Sequence, residues 1–190
     1  MEGKTHTVGG ALLAVSLSPL YTNYENSVTL PSIQGLNSLP NQAIILSIII
    51  LASTFGALLP DIDHKGSKIG RMFPFISYPL STTFGHRTLT HSLTLFVPLF
   101  LIVTSVTTIY GYSWIGIAFL LGYFSHIVLD LFTPKGIVLF YPFLKTSVKS
   151  PVTIPTGGMY EHVLRLLLLL GLGILLFNST GSLQAIKNFF

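Results

Sequence analysis

The side chains able to do chemistry in this 190-residue chain are scarce: six histidines, six acids and no cysteine. Apart from Glu2 and Glu25 they fall into five small groups: His6; Asp61, Asp63 and His64; His86 and His91; His126 and Asp130; Glu161 and His162. In SHIVLD, His126 and Asp130 stand at i and i+4, so on a helix both point the same way. They offer two ligands on one face, or one imidazole ligand oriented by a carboxylate. In LLPDIDH, Pro60 ends an apolar run, and Asp61 and Asp63 are expected to alternate along an extended turn. Paired carboxylates of that kind suit a hard or borderline cation, or bridge two. GHRTLTHS is expected to place His86 ahead of a helix and His91 within its first turn or so. THTVGG puts His6 at the opening of a helix whose Gly9 and Gly10 let a neighbour approach closely.

Each group has an ordinary explanation when taken singly. A lone histidine such as His6 or His162 can simply sit at an interface, and an aspartate in a turn is a good helix cap. Those explanations do not account for nearly all the acid and imidazole of an apolar chain gathering at one level. Nine candidates (His6, Asp61, Asp63, His64, His86, His91, His126, Asp130 and Glu161) exceed the four ligands of one tetrahedral zinc. Two or more ions, or one ion with acid–base groups beside it, would use them. With imidazole and carboxylate but no sulfur, Zn2+ is the first expectation and Mn2+ the second, with Fe and Mg2+ also compatible. A two-metal site would clamp the attacking and leaving oxygens of a phosphoester. Lys65, Lys68, Arg71 and Arg87 flank these groups, and Arg87, beside His86, is the first candidate to hold a phosphate. Asp63 or Glu161 is the expected general base.

The elements that must position these residues are membrane helices. Half the residues are hydrophobic, 8% are charged, and mean hydropathy is +0.71. Such a chain has too little charge to cover a surface wetted by water. About five segments are apolar enough to span, near residues 7–20, 42–59, 89–110, 113–132 and 162–177. They predict an all-α integral membrane bundle forming a single domain over residues 1–190, because a short open segment in lipid can satisfy its backbone only as a helix. The first run, broken by Gly and Pro with no clear cleavage site after it, reads as a retained helix rather than a signal. Gly111 and Tyr112 predict a tight hairpin between the third and fourth helices. Residues 21–40, 60–88 and 133–161 read as polar connections.

Every chemically active group lies at the end of a predicted span. Placing Lys4 in the cytoplasm and threading five spans brings all Lys and Arg except Lys187 to the cytoplasmic side, with the N-terminus inside and the C-terminus outside. All five groups then share that side. The net charge of +4 reflects basic loops beside lipid headgroups, not nucleic acid, since no basic stretch is interleaved with exposed aromatics. Ionisable groups at a membrane rim also mark transport. A divalent-cation or proton pathway, or a metal that merely clips the bundle, are therefore the competing readings.

The segments THTVGG, GALLPDIDHKGSKIGR, GHRTLTHS and GYFSHIVLDLFTPKGIVLFYP, with Glu161 following, resemble in order those of the YdjM-type family of bacterial and archaeal inner-membrane proteins. That family is described as membrane-bound metal-dependent hydrolases. The resemblance implies His6, Asp61, Asp63, His86, His91, His126 and Asp130 as site residues, with His64 and Glu161 behind them. The family is also held to be distantly similar to zinc-dependent phospholipase C and a related single-strand nuclease. This implies phosphoester hydrolysis, with a lipid phosphate or phospholipid as substrate.

Overall fold

The computed structural model describes residues 1–22 and 41–179. Glu25 with most of its polar loop, and Lys187, lie outside the described residues. Five long helices form where the apolar runs predict them, with ends moved by a few residues: α1 (Gly3–Thr22), α2 (Asn41–Leu58), α5 (Leu93–Ile109), α6 (Ser113–Leu131) and α7 (Met159–Ser179). Two short ones, α3 (Lys68–Met72) and α4 (Pro74–Thr83), lie between α2 and α5. Among the described residues the only β-pairing is an isolated antiparallel bridge, Ile137 to Val148.

Among the described residues three stretches are long and apolar enough to cross a membrane: Ala43–Asp63, Ser113–Leu131 and Met159–Asn178. α5 is apolar but has 17 residues, about 26 Å of helix at 1.5 Å per residue. α1 has the length, with 20 residues, but not the apolar character, and its position explains why. It packs against α2, α6 and α7 together, so its buried face carries small and polar residues (Thr5, His6, Gly10, Ala14, Ser18) rather than the long aliphatics that lipid selects. α5 and α7 turn Val97, Leu101, Ile102, Leu166, Leu167 and Ile174 outward, an apolar surface larger than water-soluble proteins present.

The centre of the bundle is a close crossing of α1, α2 and α6. A Cβ on Gly122 would collide with the Ser53 backbone carbonyl, one on Gly56 with that of Phe119, and one on Gly10 with Ala57 and the Gly122 backbone. Glycine at these positions lets the three backbones touch. Below the crossing, Ala14, Val15, Leu46, Ile49, Trp114 and Ala118 form the larger apolar core.

Two connections differ from expectation. Residues 60–88 are not a simple polar loop: the chain leaves α2 through a 3-10 turn, Leu59–Asp63, then forms α3 and α4. Ser67 ties this corner together, its hydroxyl donating to the Asp61 carbonyl (2.8 Å) and accepting from Gly70 N–H (2.8 Å). Asp61 and Asp63 therefore sit on a tight turn, not an extended one, because Pro60 ends the helix but still favours helical φ. His91 lies in a separate 3-10 turn, Leu89–His91, one step ahead of α5, whose first turn Ser92 caps by accepting from Leu95 N–H. The predicted hairpin is present: Gly111, at φ 74°, turns the chain from α5 into α6. Residues 133–158 contain no helix, as their Pro and Gly content predicts.

Candidate metal centre

The N-termini of α1 and α7, the C-termini of α2 and α6, and the turn before α5 meet at one end of the bundle, bringing histidines and aspartates into one buried cluster. His6, Asp63, His91, His126 and Asp130 are almost wholly inaccessible. Asp61 keeps 16% and His86 34% of its side-chain surface. Two triplets, His6–His126–Asp130 and Asp61–His86–His91, each hold ligand atoms within 4.8 Å of one another.

The triplets adjoin through His91 and His126, whose Nε2 atoms are 3.1 Å apart. His126 Nδ1 lies 2.6 Å from the Ala57 carbonyl, which can only accept, so Nδ1 carries the proton and Nε2 a lone pair. The helix crossing explains this contact: Gly56 and Gly122 draw α2 and α6 together just before Ala57 and one turn before His126. His91 Nδ1 lies 3.1 Å from Thr90 Oγ1 and 3.4 Å from Asp63 Oδ2. Since Thr90 donates its own hydrogen to Asp63 at 2.6 Å, Nδ1 is again the protonated nitrogen. Two bare imidazole lone pairs thus face one another, an arrangement that asks for a cation between them.

The carboxylates complete the set. Asp61 Oδ1 is 3.8 Å from His91 Nε2 and 3.7 Å from His126 Nε2. Asp130 Oδ2 is 3.6 and 3.8 Å from the same two atoms. Bonds of 2.0–2.1 Å in a tetrahedron put ligand atoms about 3.3 Å apart, so each carboxylate lies within coordination reach of the two facing imidazoles. His6 flanks it on one side, stacked on His126 with centroids 3.6 Å apart. Both ring nitrogens of His6 are buried without a hydrogen bond, although Nε2 lies 3.3 Å from Asp130 Oδ1. Unsatisfied buried nitrogens of this kind are rare unless another species completes them. His86 flanks the other side. The residues fit a divalent ion, and six donors exceed what one tetrahedral ion takes.

Asp63 occupies a different place from Asp61. Its Oδ1 meets His86 Nδ1 at 2.7 Å. Its Oδ2 accepts from Arg87 N–H (3.0 Å) and Thr90 Oγ1 (2.6 Å). With three donors on its two oxygens, it orients His86 and His91 from behind, as second-layer carboxylates do. Asp130 is also surrounded by donors: the Met1 amino group at 2.7 Å, Arg87 Nη2 at 3.4 Å and Arg87 Nε at 3.1 Å, the last off hydrogen-bond alignment. Arg87 Nη1 donates to Thr133 at 2.9 Å. The Arg87 backbone is left-handed, at φ 67°, which costs about 1–2 kcal/mol in a residue with a Cβ. Asp63 on its N–H and Val138 N–H on its carbonyl (3.1 Å) hold it there.

Glu161 stands apart from the cluster. Its Oε1 accepts from Glu2 N–H (2.6 Å) and Thr5 Oγ1 (2.7 Å), and its Oε2 from Gly157 N–H (2.7 Å). It fastens the start of α1 to α7, and no contact joins it to the histidines. His162 is outside as well, 2.5 Å from Arg165 Nη2, which itself belongs to a guanidinium paired with Glu2. His64 is exposed at the mouth of the cluster, its ring 4.8 Å from that of His86. Sequence reasoning did not single out Thr90, Thr133 or the Ala57 carbonyl. Thr90 lies within GHRTLTHS between two candidate ligands, which was a usable signal, whereas a backbone carbonyl leaves none.

Beside the cluster opens a cavity of about 750 Å³, lined by Asp61, His64, His86 and Arg87 and by Lys4, Lys68, Arg71 and Lys135. Asp61 and His86 belong to both cluster and cavity, so a molecule in the cavity reaches the donors through them.

The sequence has relatives. A Bacillus subtilis (strain 168) protein named "Uncharacterized protein YvsG" is 35% identical over 164 residues, 86% of each chain. "Inner membrane protein YdjM" of Escherichia coli (strain K12) is 36% identical over 115 residues, 58% of this chain and 57% of that protein. No solved structure matches. The family model "YdjM inner membrane protein" matches residues 1–188, and the chain belongs to that family.

Proposed function

We propose that this membrane protein is a divalent-metal-dependent hydrolase acting on a phosphoester, with a lipid phosphate or phospholipid as substrate. The observation that carries the reading is the facing pair of His91 and His126 lone pairs, flanked by Asp61 and Asp130 at coordination spacing and opening through Asp61 and His86 into a cationic cavity. Zn2+ is the ion that imidazole and carboxylate without sulfur suit first, and Mn2+ the second. His91, His126, Asp61 and Asp130 would hold the ion, with His6 stacked beside them.

A bound divalent ion supplies Lewis acidity and lowers the pKa of water at the site. The chain's own residues do the rest. His86, held through Nδ1 by Asp63, keeps Nε2 free and is the most exposed imidazole of the cluster, so it is placed to move a proton between the reacting water and solvent. This differs from the assignment of Asp63 or Glu161 as base, since both carboxylates are taken up by donors. Arg87, fixed by Asp130 and Thr133, presents a planar cation at the cavity wall that suits a phosphoryl oxygen. The bilayer orientation that follows from the basic residues puts this end of the bundle in the cytoplasm, where α4, with Phe75 and Tyr78 exposed, suits the headgroup layer.

The test is elemental analysis of detergent-purified, untagged protein, followed by a hydrolysis screen over phosphomonoesters, phosphodiesters and lipid phosphates. Stoichiometric Zn or Mn, with a turnover abolished in Asp61→Asn, is the expected result. Metal-loaded protein that hydrolyses nothing on that panel, but carries divalent ions across liposomes, would replace the hydrolase with a transporter.

A further inference from the structure

The basic residues around the cavity are not all accounted for by the cluster. Arg87 is held by Asp130 and Thr133 beside the cluster, and Lys65 lies over the Tyr78 ring, 4.0 Å from its centroid. Arg165, outside the cavity, is paired with Glu2. Lys4, Lys68, Arg71 and Lys135 differ. All four line the cavity and are exposed, and among the described residues none forms an ion pair. They come from three separate segments: the start of α1, α3, and the turn after α6. Lysines left over from loop orientation have no reason to converge on one concavity from three places. The two carboxylates of the lining do not offset them, since Glu2 is paired with Arg165 and Asp61 belongs to the cluster, and like charges drawn together destabilise one another unless an anion joins them.

One phosphoryl group does not use this arrangement. At the cluster it meets the metal ligands and Arg87, and about 750 Å³ leaves room beyond it. The four unpaired cations are then available for a second anionic group on the same molecule.

We propose that the cavity is a diphosphate subsite. The terminal phosphoryl group lies against the His and Asp cluster, and the second phosphate is held by Lys4, Lys68, Arg71 and Lys135; water attacks the terminal phosphorus, its bond to the bridging oxygen breaks, and that oxygen leaves with the second phosphate. This rests on the phosphoester reading of the cluster and narrows its substrate class to diphosphates, away from zwitterionic phosphodiester headgroups. A lipid diphosphate and a free diphosphate share this chemistry.

Calorimetric titration of metal-loaded, detergent-purified protein tests it, using orthophosphate, methylenediphosphonate, dodecyl phosphate and dodecyl diphosphate. Each diphosphate-type ligand is expected to bind about tenfold more tightly than its monophosphate partner, the margin shrinking as salt is raised. Lys68→Ala/Arg71→Ala, which removes only exposed side chains and leaves thermal unfolding unchanged, should abolish that margin. Dodecyl diphosphate binding more tightly than methylenediphosphonate would identify a lipid as the source, and equal binding the free anion; either supports the subsite. The absence of any preference, or a preference that survives in the double variant, would overturn it. Turnover of phosphomonoesters without the preference would remove the subsite and leave the hydrolase. A diphosphate preference without turnover on any substrate would do the reverse.

Discussion

Replacing Asp63 with Asn separates an orienting role from a proton-transferring one. The carboxylate receives His86 Nδ1 on one oxygen, and Arg87 N–H and Thr90 Oγ1 on the other. Asn keeps the shape but has one accepting oxygen, and its amide nitrogen is a donor. If the oxygen stays with Arg87 and Thr90, the amide donates to His86, whose proton moves to Nε2 and removes the lone pair facing the cavity. If the amide is turned the other way, two donors confront it and the left-handed Arg87 loses its anchor. In both orientations a group behind the ligands is lost, a change that costs 10–100-fold in metal affinity in known sites, about 1.4–2.7 kcal/mol. Metal affinity, measured by competition with a chromogenic chelator, should fall by that factor, and turnover at saturating metal should fall as well. Thermal unfolding in detergent checks that the bundle remains folded. Lost turnover with wild-type metal affinity would refute this reasoning and return Asp63 to the role of general base.

Four further outcomes follow from the same geometry. Gly122→Ala places a Cβ against the Ser53 carbonyl; it should destabilise the bundle by about 1–3 kcal/mol in denaturant titration and weaken metal binding by disturbing the His126–Ala57 contact. Glu161→Gln leaves the cluster intact but weakens the tie between α1 and α7, so unfolding should ease by about 1–3 kcal/mol while metal content per chain is unchanged. Arg87→Gly and Arg87→Ala should both lose activity, yet the glycine variant should be the more stable by about 1 kcal/mol, because only glycine accepts φ 67° freely. Stripping metal with a chelator should lower the unfolding temperature, and restoring Zn2+ or Mn2+ should raise it in a concentration-dependent way.

Much of this site is legible in one dimension because lipid imposes a severe filter. In a chain with 8% charged residues, each ionisable group near a span needs a physical reason to be there. The i, i+4 spacing of His126 and Asp130 carries over directly into a shared helix face, and the apolar runs into five long helices. That a helix forms at α1 was legible too, but not its full 20 residues, nor that it lies among other helices rather than against lipid. That depended on which glycines meet which carbonyls across the α1, α2 and α6 crossing.

By itself the sequence determined that the chain is a helical membrane protein with imidazole and carboxylate at helix ends, since composition and local periodicity answer to solvent and to hydrogen bonds within one segment. Only the tertiary structure divided those residues by role. Asp61 and Asp63 are two positions apart on one turn, yet one faces the cavity and the other is enclosed by His86, Arg87 and Thr90. Glu161, at the level of the cluster, is spent on the backbone of α1. Those differences depend on contacts between residues 23 to 159 positions apart, where no local pattern distinguishes a carboxylate that can bind a cation from one already satisfied by donors.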